Sequence, residues 1–529
     1  MRGTIKIFLV ALLAMDAHLL SAQIVLYSPV LDDRSVSQTE VVGRAGDYYW
    51  IRVMKKKRAA RGQPGRRSYE EQSFDVYDAR MRYVTTVPSR VGPDTAIKQY
   101  LIPGDEYFDQ LVLLPGNKKT VLFLERYQPD GGAGHEDEIS GNEGRIIGNF
   151  SFSEDANSFL LIRSEDRRKI LMLGFESIPS SPPRLHAILF DRDWRMLSDR
   201  IYEHPSLTQP IIQDDLTSYP LDDFSKSPVK LANNGQWLMM APSREDRNFL
   251  LFHFCGDDNS FSYKKISLPA YSAMEDIALS IDNGKGEAFA GVLSRGRYYV
   301  HKNVRTVHYS MEGQAFDFDS SYIFSTLLPG KLKNENLEKE NFIAVPGEGF
   351  LLLKEYGRVF AGWHEESTSG DQLDPEALFF DEAMLGTGVR FPFMQEGYAR
   401  YSELRGLGDV HGRGDLSLFY FPAGQKDSCW SGLISKEQVT EMNAPDLSYL
   451  VVPVKGRLFF LYNSFIRNGV QYASATIIDH QGNPMPGEGV VFWQFKNNLL
   501  FQQARQISPG EVAIPYEKNQ RNGFAIIRF

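Results

Sequence analysis

The feature that most constrains this chain is a short phrase in which an apolar run ends on an aspartate that opens a tight bend. It is clearest at His186-Ala187-Ile188-Leu189-Phe190-Asp191, followed by Arg192-Asp193-Trp194 and a second strand-like run. It recurs at Phe74 to Asp78 before Ala79-Arg80-Met81, and at Thr476 to Asp479 before His480-Gln481-Gly482-Asn483. The apolar residues need burial, and the aspartate caps the bend by accepting backbone N–H groups two residues on. The phrase therefore predicts β-hairpins. It speaks to architecture and not to chemistry.

Between the bends, β-branched and aromatic residues gather in runs of four to eight bounded by Gly, Pro, Asn and Asp, the pattern of strands. Examples are Asp47–Val53, Thr120–Leu124, Ser158–Ile162, Ile170–Leu173, Gln236–Met240, Phe249–Phe254 and Glu287–Leu293. Phe350–Leu353, Leu416–Phe421, Arg457–Tyr462 and Phe524–Ile527 continue the series. A second phrase, a polar or glycine-bearing turn before an apolar run, stands at 153–158, 232–236, 280–286, 345–349 and 454–457. Amphipathic helical periodicity over three turns is hard to find. Repeated four-stranded antiparallel meanders are the rhythm of a β-propeller.

Ser153-x-Asp155-x-x-x-Phe159 together with the Phe190-Asp191-x-x-Trp194 hairpin resembles bacterial propellers of the TolB-like kind. The resemblance concerns the fold alone; there is no Trp-Asp dipeptide and no strict repeat length. The expectation is an all-β propeller of about seven to eight four-stranded blades over residues 23–529, with rim insertions, since roughly 60 to 70 residues per blade exceed the ~40 to 50 of compact ones. Two insertions are visible, a basic one at 55–71 and a glycine-rich acidic one at 128–144. The terminal run Gly523–Phe529 is expected to pair within the blade that receives Ile24–Tyr27, which would close the ring.

Residues 1–22 have the layout of a signal peptide: Arg2 and Lys6 precede the apolar run Ile7–Met15, and Ser21-Ala22 precede Gln23. Asp16 and His18 interrupt it. Export to the periplasm or the exterior is expected. No later stretch reaches the ~18 to 20 apolar residues of a membrane helix. A formal charge of −9 over 529 residues gives no electrostatic basis for nucleic-acid binding. Only Cys255 and Cys429 occur, so a disulfide scaffold and a thiolate zinc cage are excluded. Two isolated buried thiols are expected, with a single bridge as the alternative.

Chemistry-bearing motifs are scarce. Neither His135-Glu136-Asp137-Glu138 nor His364-Glu365-Glu366 completes a His-Glu-x-x-His zinc signature, and Gly-x-Ser-x-Gly and phosphate-binding loops are absent. Asp191, Asp193, Asp317 and Asp319 could furnish a glycosidase carboxylate pair, though turn capping is the commoner role. No catalytic, cofactor-binding or metal-ligating residue is assigned. The one candidate binding set is the basic insert Lys55, Lys56, Lys57, Arg58, Arg61, Arg66 and Arg67, seven positive charges in thirteen residues, suited to an acidic partner or anionic headgroups. The chain reads as an exported non-catalytic binding module for another cell-envelope protein, the alternatives being a glycan-active propeller enzyme or a lectin-like glycan binder.

Overall fold

A computed structural model describes the strands from Ile24 to Phe529 and most of the turns joining them. The longest stretches outside the described residues are 1–23, 59–67, 128–144, 151–158, 209–226, 326–338, 361–409, 441–448 and 486–497. The described residues form eight antiparallel sheets and no α-helix.

Numbered along the chain, blade 1 holds Val36–Ala45, Tyr48–Arg58, Ser68–Tyr77 and Tyr83–Pro88, and blade 2 holds Lys98–Pro103, Phe108–Gly116, Lys119–Tyr127 and Arg145–Phe150. Blade 3 holds Phe159–Arg163, Lys169–Glu176, Arg184–Asp191 and Met196–Glu203, and blade 4 Val229–Leu231, Trp237–Pro242, Phe249–Phe254 and Phe261–Ile266. Ala273–Asp282, Glu287–Arg295, His301–Ser310 and Ala315–Ser325 make blade 5. Blade 6 contains Lys339–Val345, Gly349–Phe360, Val410–Pro422 and Trp430–Ile434, with Gln438–Thr440 paired to its third strand. Blade 7 shows Tyr449–Val454, Arg457–Arg467 and Val470–Asp479. Blade 8 is built from both ends of the chain: Asn498–Leu499 and Arg505–Ser508 form its inner edge, then come Glu511–Lys518, Arg521–Arg528 and, outermost, Ile24–Tyr27. The expected propeller is thus present, with eight blades.

The physical reason for the ring lies in side-chain parity. Successive residues of a strand point to opposite faces of its sheet. In the second strand of blade 3, Leu171, Leu173 and Phe175 pack toward blade 4, while Ile170 and Met172 pack toward blade 2. The second strand of blade 4 divides in the same way, Trp237, Met239 and Ala241 against Leu238 and Met240. Each sheet is covered on both faces, so its second strand must be apolar at every position, as Lys169–Glu176 and Glu287–Arg295 nearly are. Eight apolar clusters result, one at each junction of neighbouring blades, including that between blade 8 and blade 1. The last cluster closes the circle, with Tyr49, Ile51 and Val53 of blade 1 against Ala513, Phe524 and Ile526 of blade 8.

Closure is completed by the first strand. Val25 lies opposite Ile527 and Leu26 opposite Ile526. Just beyond, Ser28 Oγ accepts from the Phe524 amide at 2.9 Å, and Tyr516 Oη donates to the Ser28 carbonyl at 2.7 Å. Val25 packs against the cluster shared with blade 7 and Leu26 against that shared with blade 1. Replacing both with aspartate places a carboxylate in each junction. The expected loss is roughly 2 to 5 kcal/mol, read as a lower urea midpoint; an unchanged midpoint would show that this strand does not close the ring.

Candidate functional site: the turn face and the outer rim

Alternating strand direction sorts the connections onto two faces. Turns joining first to second and third to fourth strands lie on one face, here the turn face; the remaining connections lie on the other. The described ends of the basic insert, Arg58 and Ser68, fall on the second face, and the ends of the acidic insert, Tyr127 and Arg145, on the turn face.

The aspartate phrase builds the turn face as expected. Asp78 Oδ1 accepts from the amides of Arg80 and Arg82, both at 2.9 Å. Asp191 Oδ1 accepts from Asp193 and Arg195 at 2.9 and 2.8 Å, and Asp479 Oδ1 from Asn483 at 2.8 Å. In each turn the fourth residue adopts a left-handed backbone: Met81 at φ 60°, Trp194 at φ 62° and Gly482 at φ 85°. That conformation costs an L-residue about 1 to 2 kcal/mol. Burial outweighs it, since truncating a buried Trp costs about 3 to 5 kcal/mol and Trp194 is 4% exposed. Met81 and Trp194 each turn toward the preceding blade. At Gly482 the direction is reversed: Trp430 of the preceding blade fills the space, and a Cβ would meet its ring at 2.5 Å.

Beneath two of these turns sits a cross-strand acid–arginine pair. Asp109 and Arg126 are register partners in blade 2, bonded through both carboxylate oxygens at 2.8 and 3.1 Å. The Trp194 indole N–H from blade 3 donates to the same carboxylate at 2.8 Å, and Tyr107 lies against the guanidinium at 3.6 Å. In blade 8 the counterparts are Glu511 and Arg528, joined at 2.8 Å. Arg44 of blade 1 donates to Glu511 at 3.0 Å, Ser508 donates at 3.0 Å, and Arg528 donates to Tyr49 Oη at 2.7 Å. The two carboxyls shift in opposite directions. Burial raises the Asp109 carboxyl despite Arg126 and Trp194. Burial also raises Glu511, but Arg44, Ser508 and Arg528 together hold it below the ordinary glutamate value.

Nearer the axis, the turns are laced to one another. The Asp166 amide of blade 3 donates to Asn233 Oδ1 of blade 4 at 3.1 Å, and the Asn233 amide to Asn283 Oδ1 of blade 5 at 2.7 Å. Asn283 Nδ2 returns a bond to Glu165 at 2.8 Å. Arg167, left-handed at φ 60°, reaches from blade 3 to the Ile507 carbonyl of blade 8 at 3.2 Å. Asp166 Oδ1 is held by the Arg168 amide and the Ser164 hydroxyl. These carboxylates serve as hydrogen-bond acceptors for the scaffold. Asp193, besides lying in the Asp191 turn, accepts from Tyr107 Oη at 3.4 Å. The side chains of Asp317 and Asp319 lie outside the described residues, as do His135–Glu138 and His364. Among the described residues no three His, Cys, Asp or Glu side chains are disposed to hold a metal, and no helix is long and apolar enough to cross a membrane.

The basic candidates are not all loop. Lys55, Lys56, Lys57 and Arg58 end the second strand of blade 1, paired in register with Glu71, Glu70, Tyr69 and Ser68. A hairpin therefore replaces the outer part of the expected loop, because the facing acidic residues let the ladder continue. Arg61, Arg66 and Arg67 lie outside the described residues. Cys255 and Cys429 form no bridge; Cys429 is exposed and not buried as expected.

Sequence reasoning missed the outer rim. Every large apolar residue exposed among the described residues sits on a fourth strand: Tyr83 and Val84 in blade 1, Ile146 in blade 2, Met196, Leu197 and Ile201 in blade 3, and Tyr263 in blade 4. Ile146 is 68% and Leu197 51% exposed. Among the described residues the fourth strand of blade 3 pairs on one side only, which leaves its outer backbone edge without a strand partner there. The signal was weak because apolar residues here are interspersed with polar ones, as in MLSDRIYE.

No protein-family model and no curated protein matches the chain. Among solved structures, the β-propeller domain of the Trilobed protease from Pyrococcus furiosus is 10% identical, covering 82% of this chain and 95% of that one at a TM-score of 0.33. The Dos1 propeller is 9% identical with 95% of both chains covered at 0.40, and polysaccharide lyase Uly1 is 10% identical with 82% and 89% covered at 0.31. The propeller assignment stands on the strand topology itself, and the TolB-like resemblance stays at the level of the fold.

Two outcomes follow. Asp191→Ala should cost about 0.5 to 2 kcal/mol, the scale of a lost backbone cap, in urea denaturation; no loss would make the cap incidental. Glu511 is depressed on folding, so its stabilisation is complete above its ordinary value of 4.5 and is lost as pH falls through the lower folded value. Glu511→Gln should therefore flatten the acid limb of stability against pH, and an acid limb identical to wild type would contradict this.

Proposed function

We propose that this chain is an exported, non-catalytic binding module that docks another protein of the cell envelope, in the periplasm or outside the cell, on the outer rim of blades 1 to 4. The observation carrying this reading is that, among the described residues, the exposed large apolar side chains fall on those fourth strands, while the turn-face carboxylates Asp191, Asp166, Glu165 and Asp109 are taken up by backbone amides, asparagine and arginine. An open strand edge with Met196, Leu197 and Ile201 beside it suits an extended segment that adds a strand, main-chain bonds supplying affinity and alternate side chains specificity. Several large apolar side chains exposed along neighbouring edge strands are the kind of surface that interaction sites use. The signal peptide and the basic Lys55–Arg67 segment, an electrostatic steering element on the opposite face, belong to the same proposal.

The test compares wild type with Leu197→Asp/Ile201→Asp and with Asp166→Ala in capture from envelope extract, alongside polysaccharide cleavage by the purified chain. A partner retained by wild type and Asp166→Ala but lost at least tenfold from the rim variant is expected. Cleavage of a polysaccharide, abolished by Asp166→Ala and untouched by the rim variant, would overturn the reading in favour of a glycan-active enzyme.

A further inference from the structure

At the junction of blades 4 and 5 on the turn face, a thiol and an imidazole face each other. His253, in the third strand of blade 4, is 1% exposed. Its Nδ1 lies 3.2 Å from the hydroxyl of Tyr309, itself 1% exposed, and its Nε2 faces Cys255 Sγ at 4.0 Å. Cys255 follows the strand end and is half-buried. Gln314 Nε2 of blade 5 lies 3.6 Å from the same sulfur, a donor placed to favour its anionic form.

The geometry points to a two-ligand site for a soft, thiophilic metal ion of the Cu(I) type, held between Cys255 Sγ and His253 Nε2. Typical metal–sulfur and metal–nitrogen bonds of about 2.3 and about 2.0 Å place tetrahedral ligand atoms about 3.5 Å apart and collinear ones about 4.3 Å apart. A separation of 4.0 Å lies toward the collinear end. Thiolate and imidazole donors select copper over hard cations. In its Nδ1–H tautomer His253 donates to the Tyr309 phenol oxygen, an outer-shell bond of the kind ligating histidines make, and the Nε2 lone pair faces the sulfur. On binding, the Cys255 thiol gives its proton to solvent, sulfur and Nε2 each donate a pair to the metal, and no electron is transferred. The sequence offered no hint of this, because His253-Phe254-Cys255 has no metal-binding spacing and Tyr309 is 56 residues from His253.

The experiment titrates the full chain anaerobically with Cu(I), and in parallel with redox-silent Ag(I), following the ultraviolet sulfur-to-metal band. Cys429→Ser serves as background to remove the exposed thiol. One ion per chain is expected, lost in Cys255→Ser and weakened at least tenfold in His253→Gln. Tyr309→Phe, which keeps the ring that packs the junction, is expected to weaken binding about 10- to 100-fold, the usual effect of an outer-shell partner. Binding in Cys429→Ser that survives Cys255→Ser, or that is equally tight in His253→Gln and Tyr309→Phe, would overturn the site, as would no uptake at all.

Discussion

Burial of both faces of every sheet is the constraint from which this structure follows. A sheet apolar on one side can rest against a single partner, but the second strands here are apolar on both sides and need a neighbour on each. A row of such sheets leaves two naked ends. A ring leaves none, and the eight inter-blade clusters, the last joining blade 8 to blade 1, show that solution realised. Sharing blade 8 between the two ends of the chain ties the ring shut with backbone hydrogen bonds, independently of side-chain packing.

The wedge shape of the fan sets the rest. Inner strands crowd toward the axis, and their turns reach one another, so asparagine, aspartate and backbone amides bond from blade to blade and Arg167 spans to blade 8. Outer strands diverge, and their side chains face water on at least one side, as the alternating burial of Met196–Glu203 shows. A single geometric fact thus yields turns bonded to one another near the axis and a rim whose described fourth strands carry exposed apolar side chains. The two acid–arginine pairs show how local surroundings decide charge: Asp109, with Arg126 beside it, is raised by burial, whereas Glu511, with arginines from two blades, is lowered.

Much of the fold was legible because its second and third strands carry uninterrupted apolar runs: Phe249–Phe254 is written in the sequence as six consecutive buried residues. The Asp-capped bends were legible for a chemical reason, since the carboxylate, the two amides it accepts from and the left-handed residue fall within five positions. Fourth strands were harder to see, their burial being partial and their polarity high. Blade number could not be read, because repeat length varies with the connections. The candidate sites were least legible. The rim patch is assembled from strands far apart in sequence, and the Cys255–His253–Tyr309 cluster joins two blades whose proximity only the ring creates.

Native-state hydrogen exchange tests the ring most directly. If the chain's ends close it, the amides of Leu26 and Ser28, which point toward Arg521–Arg528, exchange with the same free energy as those of Ile526 and Ile527 and of second-strand residues such as Met172 and Met239 on other blades, since opening one junction exposes its neighbours. Free exchange of Leu26 and Ser28 while the remaining blades stay protected would contradict the account: the sheets would then hold together as an open arc, without the first strand.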